Sequence, residues 1–112
     1  MSLDFDLYIY DASSNEEVRV FESNITHNLT TMAATAGIYT ALWRPDENGF
    51  TNAVMLVPVL CAGLKRLEDN PETYMIYNAE NGWGTYENLL DFTRRVKEAC
   101  QKYPNARIEV SR

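Results

Sequence analysis

Alternating residues at both ends of the chain and three intervening runs of apolar residues at helical spacing predict an α+β fold. The expected order is β-β-α-α-α-β. The simplest arrangement of these elements is a small, mainly antiparallel three-stranded sheet with its helices packed on one face. The chain has 112 residues, the size of a single domain, and residues 1–112 are read as one α+β unit. A chain of this length buries roughly two-thirds of its unfolded surface without needing a disulfide or a metal.

The first strand is the clearest element. Leu3, Phe5, Leu7 and Ile9 alternate with Asp4, Asp6, Tyr8 and Tyr10, the period of a half-buried strand. Asp11 to Asn15 is turn chemistry, because its short polar side chains bond their own backbone. Glu17 to Phe21 alternates again, so the pair predicts an antiparallel hairpin with a loop of about five residues.

Leu29, Met32, Ala33 and Ala36 lie at helical spacing, with Gly37 placed to end that helix. Ile38 to Trp43 predicts a further turn or two before Arg44-Pro45 stops it. Thr51 is the expected cap of the next helix, which runs to about Asp69 with Val57, Leu60, Leu64 and Leu67 as its buried stripe. Pro58 removes a backbone bond inside a helix, so either the helix kinks there or residues 51–56 form a separate first turn. Glu72 to Tyr77 predicts a short helical turn. The last helix is capped by Thr85, carries Leu89, Phe92, Val96, Cys100 and Tyr103 on one face, and has Arg94, Arg95, Lys97 and Lys102 towards its C-terminal half, as the helix dipole favours. Arg107 to Ser111 alternates around Ile108 and Val110 and closes the fold as a third strand, its neighbour in the sheet left open.

The composition is 46% hydrophobic and 23% charged, that of a globular domain. Ten basic against sixteen acidic residues give a net charge of −6. That balance argues against a general nucleic-acid binder, which neutralises phosphates with Lys and Arg, and suits a basic protein partner. No apolar run approaches the ~20 residues that span a bilayer, and the aspartate-bearing N-terminus is no signal peptide, so a cytoplasmic protein without membrane contact is expected. Cys61 and Cys100, both on expected helices among apolar neighbours, are read as buried free thiols. One histidine and no paired cysteines give no metal site, and no cofactor is implied.

Two polar segments stand out, Asn24 to Asn28 and Asn81 to Glu87, each leading into an expected helix. Helix N-termini offer free N–H groups and a partial positive charge, a seat for a carboxylate or phosphate. Gly82 and Gly84 allow close backbone approach, Trp83 and Tyr86 suit stacking on a planar ring, and Arg44 supplies a guanidinium. If the segments converge, Asn24, Thr26, His27, Asn28, Arg44, Asn81, Trp83, Thr85 and Tyr86 form a site for a small anionic, nucleotide-like ligand. The spacing matches no phosphate-binding fingerprint, since Gly82-x-Gly84 lacks a third glycine and no lysine follows. The leading expectation is therefore a non-catalytic small-ligand binder with no catalytic residue. The second is an immunity- or inhibitor-type interaction module that meets a basic partner through its acidic charge and exposed Tyr8, Tyr10, Tyr74 and Tyr77. Tyr8 and Tyr10 would also suit a homodimer interface. The third is a small enzyme pairing His27 with Glu87 or Asp91.

At these segments the chain resembles a family of small bacterial and bacteriophage proteins to which no activity is assigned. The resembling blocks are Asn24-Ile25-Thr26-His27-Asn28-Leu29, Ala36-Gly37-Ile38-Tyr39 with Leu42-Trp43-Arg44-Pro45, and Asn81-Gly82-Trp83-Gly84-Thr85-Tyr86-Glu87. The Tyr103-Pro104 turn and the strand from Ile108 to Arg112 also fit, so the likeness spans about residues 17–112. It implies a shared fold and a shared polar site. Thr30, Thr31 and Thr35 depart from it, leaving the first helix with less charge than the family pattern implies.

Overall fold

The computed structural model describes residues 1–112 and has the expected α+β architecture. Strand β1 (Ser2–Asp11) pairs antiparallel with β2 (Glu16–Thr26). The chain then passes through five helices: α1 (Thr30–Thr35), α2 (Tyr39–Trp43), α3 (Val57–Asp69), α4 (Pro71–Met75) and α5 (Tyr86–Lys102). Strand β3 (Arg107–Ser111) returns antiparallel to β1, and the sheet order is β2-β1-β3. The neighbour left open by the sequence is thus the first strand, which becomes the centre of the sheet.

Alternation along β1 decides which face is covered. Leu3, Phe5 and Leu7 are fully buried beneath the sheet, with Ile25 beside them, and each such side chain contributes about 1.5–3 kcal/mol by leaving water. Phe21 meets Phe5 edge to face, with ring centroids 6.5 Å apart, the favoured geometry for two aromatic quadrupoles. Against this face stand Leu60 and Leu67 of α3 and Leu89, Phe92 and Val96 of α5, all in one hydrophobic core. The opposite face of the sheet carries no helix.

The second strand is longer than its alternation suggests. It continues through Glu22–Thr26 after a bulge, where Leu7 faces Phe21 but Tyr8 faces Arg19, leaving Val20 as the extra residue. The first helix ends at Gly37, as its spacing predicts, and Gly37 takes φ +79°. Gly37 N–H donates to Ala34 O at 3.0 Å and Ile38 N–H to Ala33 O at 2.9 Å, the paired bonds of a glycine-terminated helix.

Of the two readings at Pro58, the separate first turn is the one observed. A 3-10 turn spans Ala53–Leu56, and α3 starts at Val57 with Pro58 in its first turn, where no backbone bond is lost. Thr51 does not cap this helix, contrary to expectation; its carbonyl accepts from Ile108 N–H at 3.3 Å instead. Cys61 is a second correction. Cys100 is buried but Cys61 is exposed, because the buried stripe through Leu60, Leu64 and Leu67 leaves it on the outward side of α3. Tyr74, expected at the surface, is also buried. No helix is long and apolar enough to cross a membrane.

Candidate functional site

The two polar segments do meet. Thr26 ends β2, and its Oγ1 accepts from Asn28 N–H at 3.2 Å, capping the 3-10 turn His27–Leu29. Asn28 Nδ2 donates to Trp83 O at 2.8 Å, which joins the segments directly. The loop arriving from the other side is held internally, with Asn81 Oδ1 accepting from Trp83 N–H at 2.9 Å. Gly84 is the point of closest approach. A Cβ there would lie 3.1 Å from Thr26 Cγ2 and 3.3 Å from Asn28 Cβ, and its φ is +126°, so glycine lets the loop press flat on the turn.

The meeting is made by packing and mutual hydrogen bonds. His27 Nδ1 accepts from the buried indole of Trp43 at 2.9 Å. Thr85 and Asn88 form a reciprocal capping box on α5, at 3.2 Å and 3.0 Å. Tyr86 is buried instead of offering a stacking surface; its hydroxyl donates to Leu67 O, and burial raises its phenol above the ordinary range. Trp83 is the exception, 73% exposed. Two members lie apart from this junction. Arg44 Nε donates to Tyr39 Oη at 3.2 Å and its Nη1 to Glu47 at 2.8 Å. Asn24 belongs to the strand, not to a helix entrance, and its Nδ2 donates to Ser2 Oγ at 2.9 Å and Asp4 Oδ1 at 2.6 Å. As for a His27 acid–base pair, Asp91 is held by Arg95 Nε at 2.9 Å.

A second candidate lies on the uncovered face of the sheet. The register places Glu22 and Glu109 directly opposite Asp6, one on each side. One row across the sheet therefore reads Glu22–Asp6–Glu109, with Asp4 as the next outward-facing residue of β1. Like charges directly opposite on a sheet are destabilising. Partial burial, opposed by Arg19 and reinforced by Asp4, Glu22 and Glu109, raises the Asp6 carboxyl above the ordinary carboxylate range. Arg19 reaches Glu22 at 3.1 Å, while Asp6 has no ion-pair partner. A depression of about 310 Å³ opens here, lined by Asp4, Asp6, Arg19, Glu22, Asn24 and Ser111 among others.

Further along the same face the charges are better matched. Arg107 crosses over the Tyr8 ring, its guanidinium carbon 4.9 Å from the ring centre, to make two 2.9 Å bonds to Glu17. Glu17 is held below the ordinary carboxylate range chiefly by these bonds. Tyr10 is exposed beyond them, its hydroxyl bonded to Asn15.

Asp4, Asp6, Tyr8 and Tyr10 were legible as one outward face from their alternation. Glu22 and Glu109 were not, because their place in the row depends on strand pairing. The available signal was the return of alternation at Glu22-Ser23-Asn24-Ile25 after the slip at Val20. No group of three or more His, Cys, Asp or Glu is placed to hold a metal ion. No protein-family model, no curated protein and no solved structure matches the chain.

Proposed function

We propose that the protein is an interaction module whose uncovered sheet face receives a basic protein partner. The observation that carries this reading is the Glu22–Asp6–Glu109 row. Glu22 and Glu109 each reach an arginine, at 3.1 Å and 3.5 Å, but Asp6 between them reaches none, and a partner bearing Lys or Arg would relieve the repulsion on docking. Tyr8 and Tyr10 extend the same face with large amphipathic side chains of the kind enriched at interfaces. An inhibitor or immunity protein that covers a basic surface is the activity class this chemistry suits.

The small-ligand reading has less support. Thr26, His27, Asn28, Asn81 and Thr85 already bond within the chain, so a ligand would have to displace those bonds.

Affinity capture with the wild type and a D6N/E109Q double variant tests the proposal. The wild type should retain a basic protein that elutes with salt, because charge complementarity is screened by ions, and the variant should not. Equal retention by both proteins would sink it. As a direct check, a hexa-arginine peptide should shift the amide resonances of Asp4–Tyr8 and Glu109 before any others; shifts centred elsewhere count against this face.

A further inference from the structure

The edge of β2 and one stripe of α5 run side by side along the flank of the molecule. β2 is the open edge of the sheet. The outer edge of β3 is occupied at its start, since Ile108 N–H donates to Thr51 O and Asn52 bridges to Arg107. Beyond β2 there is no further strand, so alternate N–H and C=O groups along it face outward unpaired. Facing this edge, Asn88, Asp91, Arg95, Glu98 and Lys102 follow one another along α5 at steps of three and four, which places them on one stripe of the helix.

The two walls match in length. From residue 88 to 102 the helix advances about 21 Å, and from residue 26 back to 20 the strand advances about 20 Å. Between them lie two depressions. One, of about 200 Å³, is bounded by Ile25, Thr26, Asn88 and Phe92. The other, of about 280 Å³, is bounded by Val20, Phe21, Ala99 and Tyr103. Arg95 stands between and lines both, its Nη1 donating to Ser23 Oγ at 2.9 Å.

Val20 and Phe21 are consecutive, yet both line the second depression. Strict alternation would send one of them to the opposite face. The bulge at Val20 re-aims it. At the mouth of this depression Lys102 makes no ion pair, and its ammonium lies 5.3 Å from the Tyr103 ring centre.

We infer that this seam is a docking groove for an extended protein segment, which adds to β2 as a fourth strand. The segment places an apolar side chain against Val20, Phe21, Ala99 and Tyr103 and a neighbouring carboxylate on Lys102. Backbone pairing at residues 21–26 supplies affinity, and the depressions and Lys102 supply selectivity. The bulge ends the added ladder at Val20. The groove shares the β2 backbone at Glu22 with the acidic row but uses none of its three carboxylates, so side-chain changes at Asp6 and Glu109 test the proposed function without touching this inference.

The test uses three acetylated, amidated hexapeptides: Thr-Val-Thr-Leu-Thr-Glu, the same sequence ending in Lys, and the Glu form N-methylated at alternate residues. The Glu peptide should shift amides of residues 20–26 and 95–103. Exchanging Lys102→Glu, at an exposed position, should weaken the Glu peptide about two- to fivefold and strengthen the Lys peptide comparably, as a rim charge does. N-methylation should cost at least about tenfold, because it removes backbone donors from the added strand. Asp6→Asn should leave all three affinities unchanged. No shift at about 1 mM peptide, equal binding of the N-methylated form, or a concentration-dependent doubling of mass with the same resonances shifted would each overturn the inference, the last in favour of pairing between two copies.

Discussion

Asp6 is flanked across both neighbouring strands by carboxylates, so its charge acts against the fold. Replacing Asp6 by Asn should stabilise the protein by roughly 0.2–1 kcal/mol, the range for one cross-strand pair, measured by denaturant unfolding at neutral pH. The sign of the pH dependence follows from the raised carboxyl of Asp6. The folded state holds that proton more tightly than the unfolded chain, so the favourable contribution is complete below the unfolded pKa and lost as pH rises through the folded one. The advantage of Asp6→Asn should therefore shrink in acid. Glu17 and Asp46 behave oppositely. Their carboxyls are lowered chiefly by hydrogen bonds from Arg107 and Arg112 respectively, so their contribution is present above the unfolded pKa and lost as pH falls through the folded one. The cysteines give a separate check. Burial pushes the Cys100 thiol up to about 12 while Cys61 is exposed. A thiol reagent should modify one cysteine in the native protein and the second only after unfolding.

Among the elements, α5 depends on its cap and α3 on close approach. Thr85→Ala removes half of a reciprocal capping box and should cost about 0.5–2 kcal/mol of unfolding free energy. At Gly63, a Cβ would sit 2.1 Å from Ile38 Cγ2, so Gly63→Ala should destabilise by about 1–3 kcal/mol through overpacking. Both effects are readable from thermal unfolding. The elements that were legible in the sequence are those with an uninterrupted period: β1 by twos, and α5 by threes and fours from Leu89 to Cys100. Where the period slips, the local pattern no longer encodes the element. Val20 and Phe21 both line the depression beside α5, so alternation is lost there, and Glu22–Thr26 has the local pattern of a loop that places Asn24 at a helix entrance. Tyr86 is polar enough to suggest a ligand platform, but its single hydroxyl is satisfied by Leu67 O, allowing the ring into the core. The acidic row was hidden for another reason. It joins residues from the beginning and the end of the chain, and no local pattern encodes which strands become neighbours.

At the scale of the whole molecule the fold measures 48 × 27 × 22 Å. β3 covers β1 only from Asp4 to Tyr8, so Ile9–Asp11 and Glu16–Val18 extend past it as a two-stranded ribbon, which has little stability of its own in water. Amide hydrogen exchange should separate the two parts, with residues 9–18 exchanging early and Leu3–Leu7 only as the whole fold opens. Within that hairpin, Val20 is a residue the ladder does not need. Without it, Phe21 would still face Leu7 and Arg19 would still face Tyr8, so every other side chain would keep its side of the sheet. Losing one residue inside a strand ordinarily turns half of it inside out; here the loss would make the hairpin regular. A descendant of this chain stands one codon deletion from a straight, unguarded border, and with it from zipping edge to edge onto a sister molecule.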